Sequence, residues 1–481
     1  MTDPVEASIA AHEAGRLLEA YDLARDHARA HPADPRAWHQ LGLVLQDMGD
    51  LPKAAAMLDR ALTLAPAHAT ILHLRGRIEL ARGRPAQDWL DRAQEARPQD
   101  PAIALSRGMA ALAEGDAAAA LNRFAEVTML YPSLAQGHAS LAALRYQLGD
   151  RDTFADSFEA TLAQAPRDIA LWRAWAVALI SASQPARALE AVVRARAAAG
   201  RDPAFDMLEL CALTDLGDTA AAATRFAALP VGADDAVLRH TRIRHLIASG
   251  DPHAAATLAE ATVARPGGEG AWPWLATAWA LTGNPRLDWL FGDPRLIGVY
   301  DLGDPPAGLA DTLRTLHRTR IEPPEQSLRG GTQTDGDVLL REEPPIVALR
   351  AQLEAAIAKH IAQLPPPDPA HPVLSRPRAR TRFAGSWSVR LEGAGFHVAH
   401  THPRGWLSSA YYVAVPDAPA PQGWLKLGEP PANSGAAIAP FRRIEPKPGR
   451  LVLFPSILWH GTEPFPAGER LSVAFDVVPL I

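Results

Sequence analysis

The sequence predicts a two-part α+β chain: an all-α stack of helical hairpins followed by an antiparallel β-domain. Three observations carry that reading. Helix breakers recur about every 34 residues as far as Gly283, the spacing then fails, and from Arg380 onward the apolar pattern changes from helical to alternating. A chain of 481 residues is too long for a single core of ordinary size. The expected boundaries are 1–290 for the helical stack, 291–379 for bridging helices and loops that begin the second unit, and 380–481 for the β-domain.

Composition narrows the class. Apolar residues at 48% and charged residues at 21% exclude a disordered chain, and a formal charge of -6 without a basic run argues against a nucleic-acid partner. The single cysteine, Cys211, has no internal disulfide partner and reads as a small core residue, which fits a reducing cytoplasm. The opening MTDPVEASIAAHEAG is acidic and lacks the apolar centre of a secretory signal. No stretch reaches the ~18 uninterrupted apolar residues of a membrane span. A soluble cytoplasmic protein with no membrane partner is expected.

The helical part has a ruler. Prolines fall at 32, 66, 98, 132, 166, 203, 230 and 266, and glycines between them at 49, 83, 115, 149, 217, 250 and 283. The glycine steps are 34, 32, 34, 68, 33 and 33, the long one being two units in which Ser183 replaces glycine. Most of these glycines precede Asp or Asn, a helix stop followed by a helix start. The pattern resembles the tetratricopeptide repeat, a helical pair in about 34 residues. Trp38, Leu41 and Gly42 match its first signature, Ala54 and Leu58 approximate the second, and Ala120, Phe124 and Pro132 match a later one. Trp38, Trp172 and Trp272 each follow a repeat proline by six residues, as though refilling one packing slot. The resemblance implies about eight units in a right-handed superhelix whose concave face suits an extended peptide or a partner helix, a binding rather than a catalytic device.

In the bridge, AGLADTLRTLHRTR (307–320) and IVALRAQLEAAIAKHIAQL (346–364) have helical spacing, and the Pro-rich LPPPDPAHP (364–372) reads as a loop. The segment around Gly330-Gly331, within 325–337, is either a loop folding over a site or a tight turn opening an edge strand.

Beyond Arg380, the segments TRFAGSWSVRLEG, GWLSSAYYVAVP, GWLKLGEP, GRLVLFPSILWHG and ERLSVAFDVVP are short, aromatic and β-branched, punctuated by Gly and Pro. About 100 residues of this kind fit a double-sheet jelly roll. If HVAHTHP lies on one of its strands, His400 and His402 share a face and His397 takes the other, either at the surface or as a residue supporting the ligands from behind. His460 ends the strand GRLVLFPSILWH, and Arg470 opens another ten residues later. A third imidazole on one side of a metal leaves positions open for ligands, and a guanidinium behind it offers a fork for a carboxylate. Trp387, Trp406, Trp424 and Trp459 are candidates for lining the pocket but are read as core first, and Arg382 and Arg390 as a solvated face.

These features resemble the 2-oxoglutarate- and Fe(II)-dependent oxygenases, on the prolyl-hydroxylase-like side. In that family one strand carries H-x-D, a later strand the distal histidine, and an arginine about ten residues on, often as R-x-S, binds the far carboxylate of 2-oxoglutarate. His400, His460, Arg470 and Ser472 match those positions, and Tyr412 matches the second of a tyrosine pair that donates to the same carboxylate. The resemblance implies a double-stranded β-helix over 380–481, the cofactor Fe(II), the cosubstrate 2-oxoglutarate, and O2. His402 stands where the family has a carboxylate. Three ligand sets remain open: His400, His402 and His460; His400 and His460 alone; or a set completed by an acidic residue such as Glu392. The implied function is hydroxylation of a protein or peptide side chain recruited by the repeats. The alternatives are the same chemistry on a small metabolite, and a non-catalytic scaffold bearing a metal-binding roll.

Overall fold

The computed structural model describes residues 4–229, 235–324 and 326–481, so Pro230 of the ruler lies outside the described residues. From Pro4–Glu13 to Arg286–Phe291 there are eighteen described α-helices in nine consecutive pairs, one pair beyond the eight or so expected. The ruler works as read. Gly49, Gly115, Gly217 and Gly250 all have positive φ, and the aspartate after each accepts a hydrogen bond from the backbone N–H three residues on. Ser183 holds φ 57, the left-handed conformation that the ruler asks of a residue standing in for glycine. Gly42 serves close packing instead: a Cβ there would meet the Leu58 side chain at 2.8 Å.

The packing slot is real but shared differently. The indoles of Trp38 and Trp172 donate to the carbonyls of Pro32 and Pro166, both at 2.9 Å, and His138 Nε2 makes the equivalent contact with Pro132 at 3.0 Å. Trp272 leaves the series. It opens helix Trp272–Thr282 and packs edge-on against Trp279, because a short 3-10 turn, Glu269–Ala271, precedes it. Cys211 is partly buried, and burial pushes its thiol up, as expected of a core residue. Among the described residues no helix is long and apolar enough to cross a membrane.

Among the described residues nine strands follow: β1 (Gly298–Asp301), β2 (Leu328–Gln333), β3 (Thr381–His397), β4 (Leu407–Ala414), β5 (Leu425–Leu427), β6 (Arg442–Ile444), β7 (Arg450–Pro455), β8 (His460–Thr462) and β9 (Glu469–Pro479). They form a six-stranded sheet, β1-β7-β4-β9-β3-β2, and a three-stranded sheet, β6-β5-β8. The large sheet therefore begins before residue 380, since both its edge strands come from the bridge. The Gly330-Gly331 segment is part of β2, with a register shift between Arg329 and Gly331 where Gly330 takes φ 74.

Alternation sorts the large sheet into two faces. Leu471, Val473, Phe475 and Val477 of β9 join the core that also holds Leu349 and Leu353 of helix Pro344–Gln363. Tyr412, Val452 and Phe454 point the other way, onto Leu425, Leu427 and Ile444 of the small sheet. Arg470, Ser472 and Asp476 alternate with the outer set, and Ser472 and Asp476 pair in register with Tyr412 and Ser408. They belong to the interior of the roll.

Repeats and roll pack as one body, with Leu275 and Trp279 in the same core as Phe475. The Trp459 indole donates to Pro273 O at 3.1 Å and Thr277 Oγ1 at 3.0 Å, and its ring meets Trp274 edge-on at 4.9 Å. The bridge runs along the C-terminal ends of repeat helices. Arg318 donates to the carbonyls of Leu112 and Ala113, the backbone N–H groups of Arg320 and Ile321 donate to Gln147 O, and that of Glu342 donates to Arg82 O. Donors placed at helix C-termini meet unpaired carbonyls, and a cation there also meets the negative end of the dipole.

One buried group makes this body acid-sensitive. His360 is 1% exposed against Tyr300, whose hydroxyl is 3.0 Å from its Nδ1, and burial pushes its pKa down to about 4. The unfolded chain, with an ordinary imidazole near 6.5, takes the proton first. Stability from this group is therefore full above pH 6.5 and lost as pH falls toward 4, by about 3 kcal/mol in all. Urea melts at about pH 7 and about pH 4.5 are expected to show that slope in the wild type and a flatter one in His360→Leu.

Candidate metal centre

The structure brings His400, His402 and His460 together, but not through one strand. β3 ends at His397, and the chain then leaves the large sheet. His400 forms an isolated antiparallel bridge with His460, their amides and carbonyls exchanging hydrogen bonds of 2.9 and 3.0 Å. His402 lies beyond, its N–H bonded to Ser456 O at 2.8 Å, and Pro403 follows it. The downstream strand is also broken: β7 ends at Pro455, which has no N–H to continue a ladder, and His460 opens β8 in the other sheet. Two sheets thus converge on the histidines, with one ring nitrogen from each within 4.8 Å of the others.

Each ring has its second nitrogen fixed. His400 Nδ1 lies 2.9 Å from Val398 O, His460 Nδ1 lies 3.0 Å from Leu458 O, and His402 Nδ1 lies 2.9 and 2.8 Å from the two oxygens of Asp476. Each acceptor holds the proton on Nδ1 and leaves Nε2 as the ligating nitrogen, which at His400 also faces Ser327 Oγ at 3.2 Å. Burial, reinforced by the neighbouring rings, pushes His400 down to about 3 and holds His460 well below its ordinary range. Both are neutral at pH 7, the form that ligates.

His397 is half-buried and takes the supporting place rather than the surface one. Its Nδ1 lies 3.0 Å from Ser327 Oγ, the same hydroxyl is 3.2 Å from His400 Nε2, and its ring stacks with His400 at 5.9 Å. Glu392 does not join the group: it is exposed, paired with Arg390, and opposite Glu469 in register. Arg390 is only partly solvated, its Nε donating to Glu469 at 2.6 Å. Of the four tryptophans, Trp406 and Trp459 are buried as expected, whereas the Trp387 ring stands 5.3 Å from that of His402 and forms a wall of the site.

Deeper in the roll, Arg470 is 3% exposed and has no ion-pair partner among the described residues. One of its terminal nitrogens donates to Gly423 O at 3.0 Å, and its guanidinium carbon is 5.1 Å from the Tyr412 ring centre. The Arg470 Nε and the fully buried Tyr412 hydroxyl have no hydrogen-bond partner among the described residues. Burial lowers the affinity of Arg470 for its proton and raises that of Tyr412. A buried cation is costly unless an anion joins it. Ser472, 6% exposed and in register with Tyr412, completes the polar patch. The donor set fits a divalent metal at the histidines and a carboxylate at Arg470.

Sequence reasoning missed Asp476 and Ser327. Asp476 had a signal: it stands six residues after Arg470, an even spacing that puts both on one face of a strand otherwise apolar around it. Ser327 had none, since its approach depends on how the bridge folds back.

Residues 385–476 match the family described as "Putative 2OG-Fe(II) oxygenase", and residues 35–78 match the tetratricopeptide repeat. The chain thus carries a region similar to tetratricopeptide repeats and, after it, one similar to a putative 2OG-Fe(II) oxygenase domain. Such a domain implies Fe(II), 2-oxoglutarate and O2. No curated protein matches the chain. Among solved structures, a tetratricopeptide repeat protein from Parabacteroides merdae is 19% identical, with 47% of this chain and 90% of that one covered and a TM-score of 0.32. A thermophilic TPR protein of Thermus thermophilus is 20% identical, covering 37% and 97%, with a TM-score of 0.31. MamA from Desulfovibrio magneticus is 22% identical, covering 34% and 97%, with a TM-score of 0.30. At these values the likeness says nothing of ligand or partner.

Proposed function

We propose that the protein is a 2-oxoglutarate- and Fe(II)-dependent oxygenase that hydroxylates a protein or peptide side chain presented by the repeats. The observation that carries the chemistry is the convergence of three imidazoles, each with Nδ1 tied to an acceptor, in a roll that also holds a buried guanidinium with no ion-pair partner among the described residues. His400, His402 and His460 would hold the iron, which would supply the oxidising chemistry by which O2 gives one atom to the succinate formed, with CO2, from 2-oxoglutarate and the other to a substrate C–H bond.

The side chains bind, orient and exclude water. Arg470 donates its unused Nε–H, and Tyr412 its hydroxyl, to the far carboxylate of 2-oxoglutarate, with the Ser472 hydroxyl beside them. His402 and Trp387 form one side of the site, and Ser327 holds the His397 ring beside it.

The substrate class rests on how the site opens. A cavity of about 470 Å³ reaches His400 and His402 and is lined on its other side by Ile180, Ser181 and Ser183 from the repeats. Ser181 also lines an adjoining groove of about 520 Å³, apolar in character, bounded by Leu112, Phe124, Val177, Pro323 and Pro324. A chain lying in that groove has a route for one side chain toward the histidines, which favours a peptide over a free metabolite. The test is to incubate a lysate with the Fe(II)-loaded chain, 2-oxoglutarate and air, using His400→Ala as the blank. An added oxygen on a protein residue, seen by peptide mass spectrometry only with the wild type, is expected. Added oxygen confined to small molecules would overturn the peptide reading.

A further inference from the structure

Three neutral imidazoles leave a divalent metal with one negative charge fewer than two histidines and a carboxylate. Resting on the functional reading above, we propose that Asp476 supplies that missing charge from one residue further out, acting through His402 as a positioning residue.

The three histidines differ in what holds them. His400 and His460 meet neutral backbone carbonyls, whereas His402 alone meets a carboxylate, with both oxygens of Asp476 within 2.9 Å of its Nδ1. That carboxylate is enclosed, with 14% of its side chain exposed, and His402 is its one ionisable partner among the described residues. Its other close contact is a neutral hydroxyl, Ser408 Oγ at 2.6 Å, itself 2.9 Å from Ser456 Oγ. Among the described residues no arginine or lysine pairs with it, so its charge acts on the imidazole. A carboxylate pulling on Nδ1–H gives the ring imidazolate character and makes Nε2 a stronger donor, while fixing the ring plane. The surrounding backbone is shaped to the pair: a Cβ on Gly405 would come 2.5 Å from Ser456 Oγ and 3.3 Å from Asp476 Cγ. The residue that departs from H-x-D thus has a carboxylate immediately behind it, presented by the same strand that carries Arg470.

The experiment is Co(II) binding by the full chain, followed by its visible spectrum, in wild type, Asp476→Asn, His402→Asp and the double variant. Asp476→Asn keeps shape and removes charge, and is expected to weaken Co(II) binding about 10- to 100-fold and to shift the spectrum. In the His402→Asp background the carboxylate is already at the metal, so Asp476→Asn is expected to cost nothing further. Equal loss in both backgrounds, or no loss in either, would overturn the proposal, because a merely structural role does not depend on which residue stands at 402. Should Asp476→Asn fail to fold by near-UV circular dichroism, Asp476→Thr, neutral and suited to a strand, carries the same comparison. If the wild type itself binds no Co(II), the metal centre fails as a whole, an outcome distinct from failure of Asp476 alone.

Discussion

His460→Ala is expected to abolish metal binding while leaving the chain folded. His460 contributes one of three converging nitrogens, and its backbone, not its ring, makes the bridge to His400. Removing the ring takes away a direct ligand in every open set, so the loss should exceed the about 10- to 100-fold typical of residues that only support a ligand. Equilibrium dialysis with Fe(II) in the absence of oxygen measures it. His402→Ala in the same assay separates the open ligand sets: a loss comparable to that of His460→Ala makes His402 a ligand, and retained binding leaves His400 and His460 alone.

Arg470→Leu is expected to separate stability from binding. The guanidinium is buried without an anion, so replacing it by an apolar side chain should leave stability unchanged or raise it. Affinity for 2-oxoglutarate should fall by about 2–5 kcal/mol, the usual cost of removing one partner from a buried, hydrogen-bonded charge pair. Urea melts of the metal-free protein and calorimetric titration of 2-oxoglutarate into metal-loaded protein check the two halves. Clear destabilisation with unchanged 2-oxoglutarate binding would make Arg470 a structural residue.

Periodic features were the legible ones. Glycine spacing located the helix ends of the repeats down to Ser183, because a left-handed C-terminal residue is a local backbone demand written into the chain itself. ERLSVAFDVVP gave β9 with its alternating apolar face, since alternation is likewise local. The histidines were grouped correctly for a reason that was only half right. Strand alternation cannot pair His400 with His402 once β3 stops at His397; a crossing between two sheets does so, and no short window encodes it. The same limit hid the contribution of β1, whose pairing partner lies far along the chain, whereas an edge strand at Gly330-Gly331 was one of the two readings of that segment. It also hid Asp476, which matters only because His402 folds back onto its strand.

The account stands or falls on one measurement: conversion of 2-oxoglutarate to succinate by the full chain, with and without Fe(II), in air and under nitrogen. Succinate formed only with iron and oxygen together, and absent in His400→Ala, is the predicted result. Iron-loaded wild-type protein that forms no succinate in air, with or without a lysate to supply substrate, would contradict it.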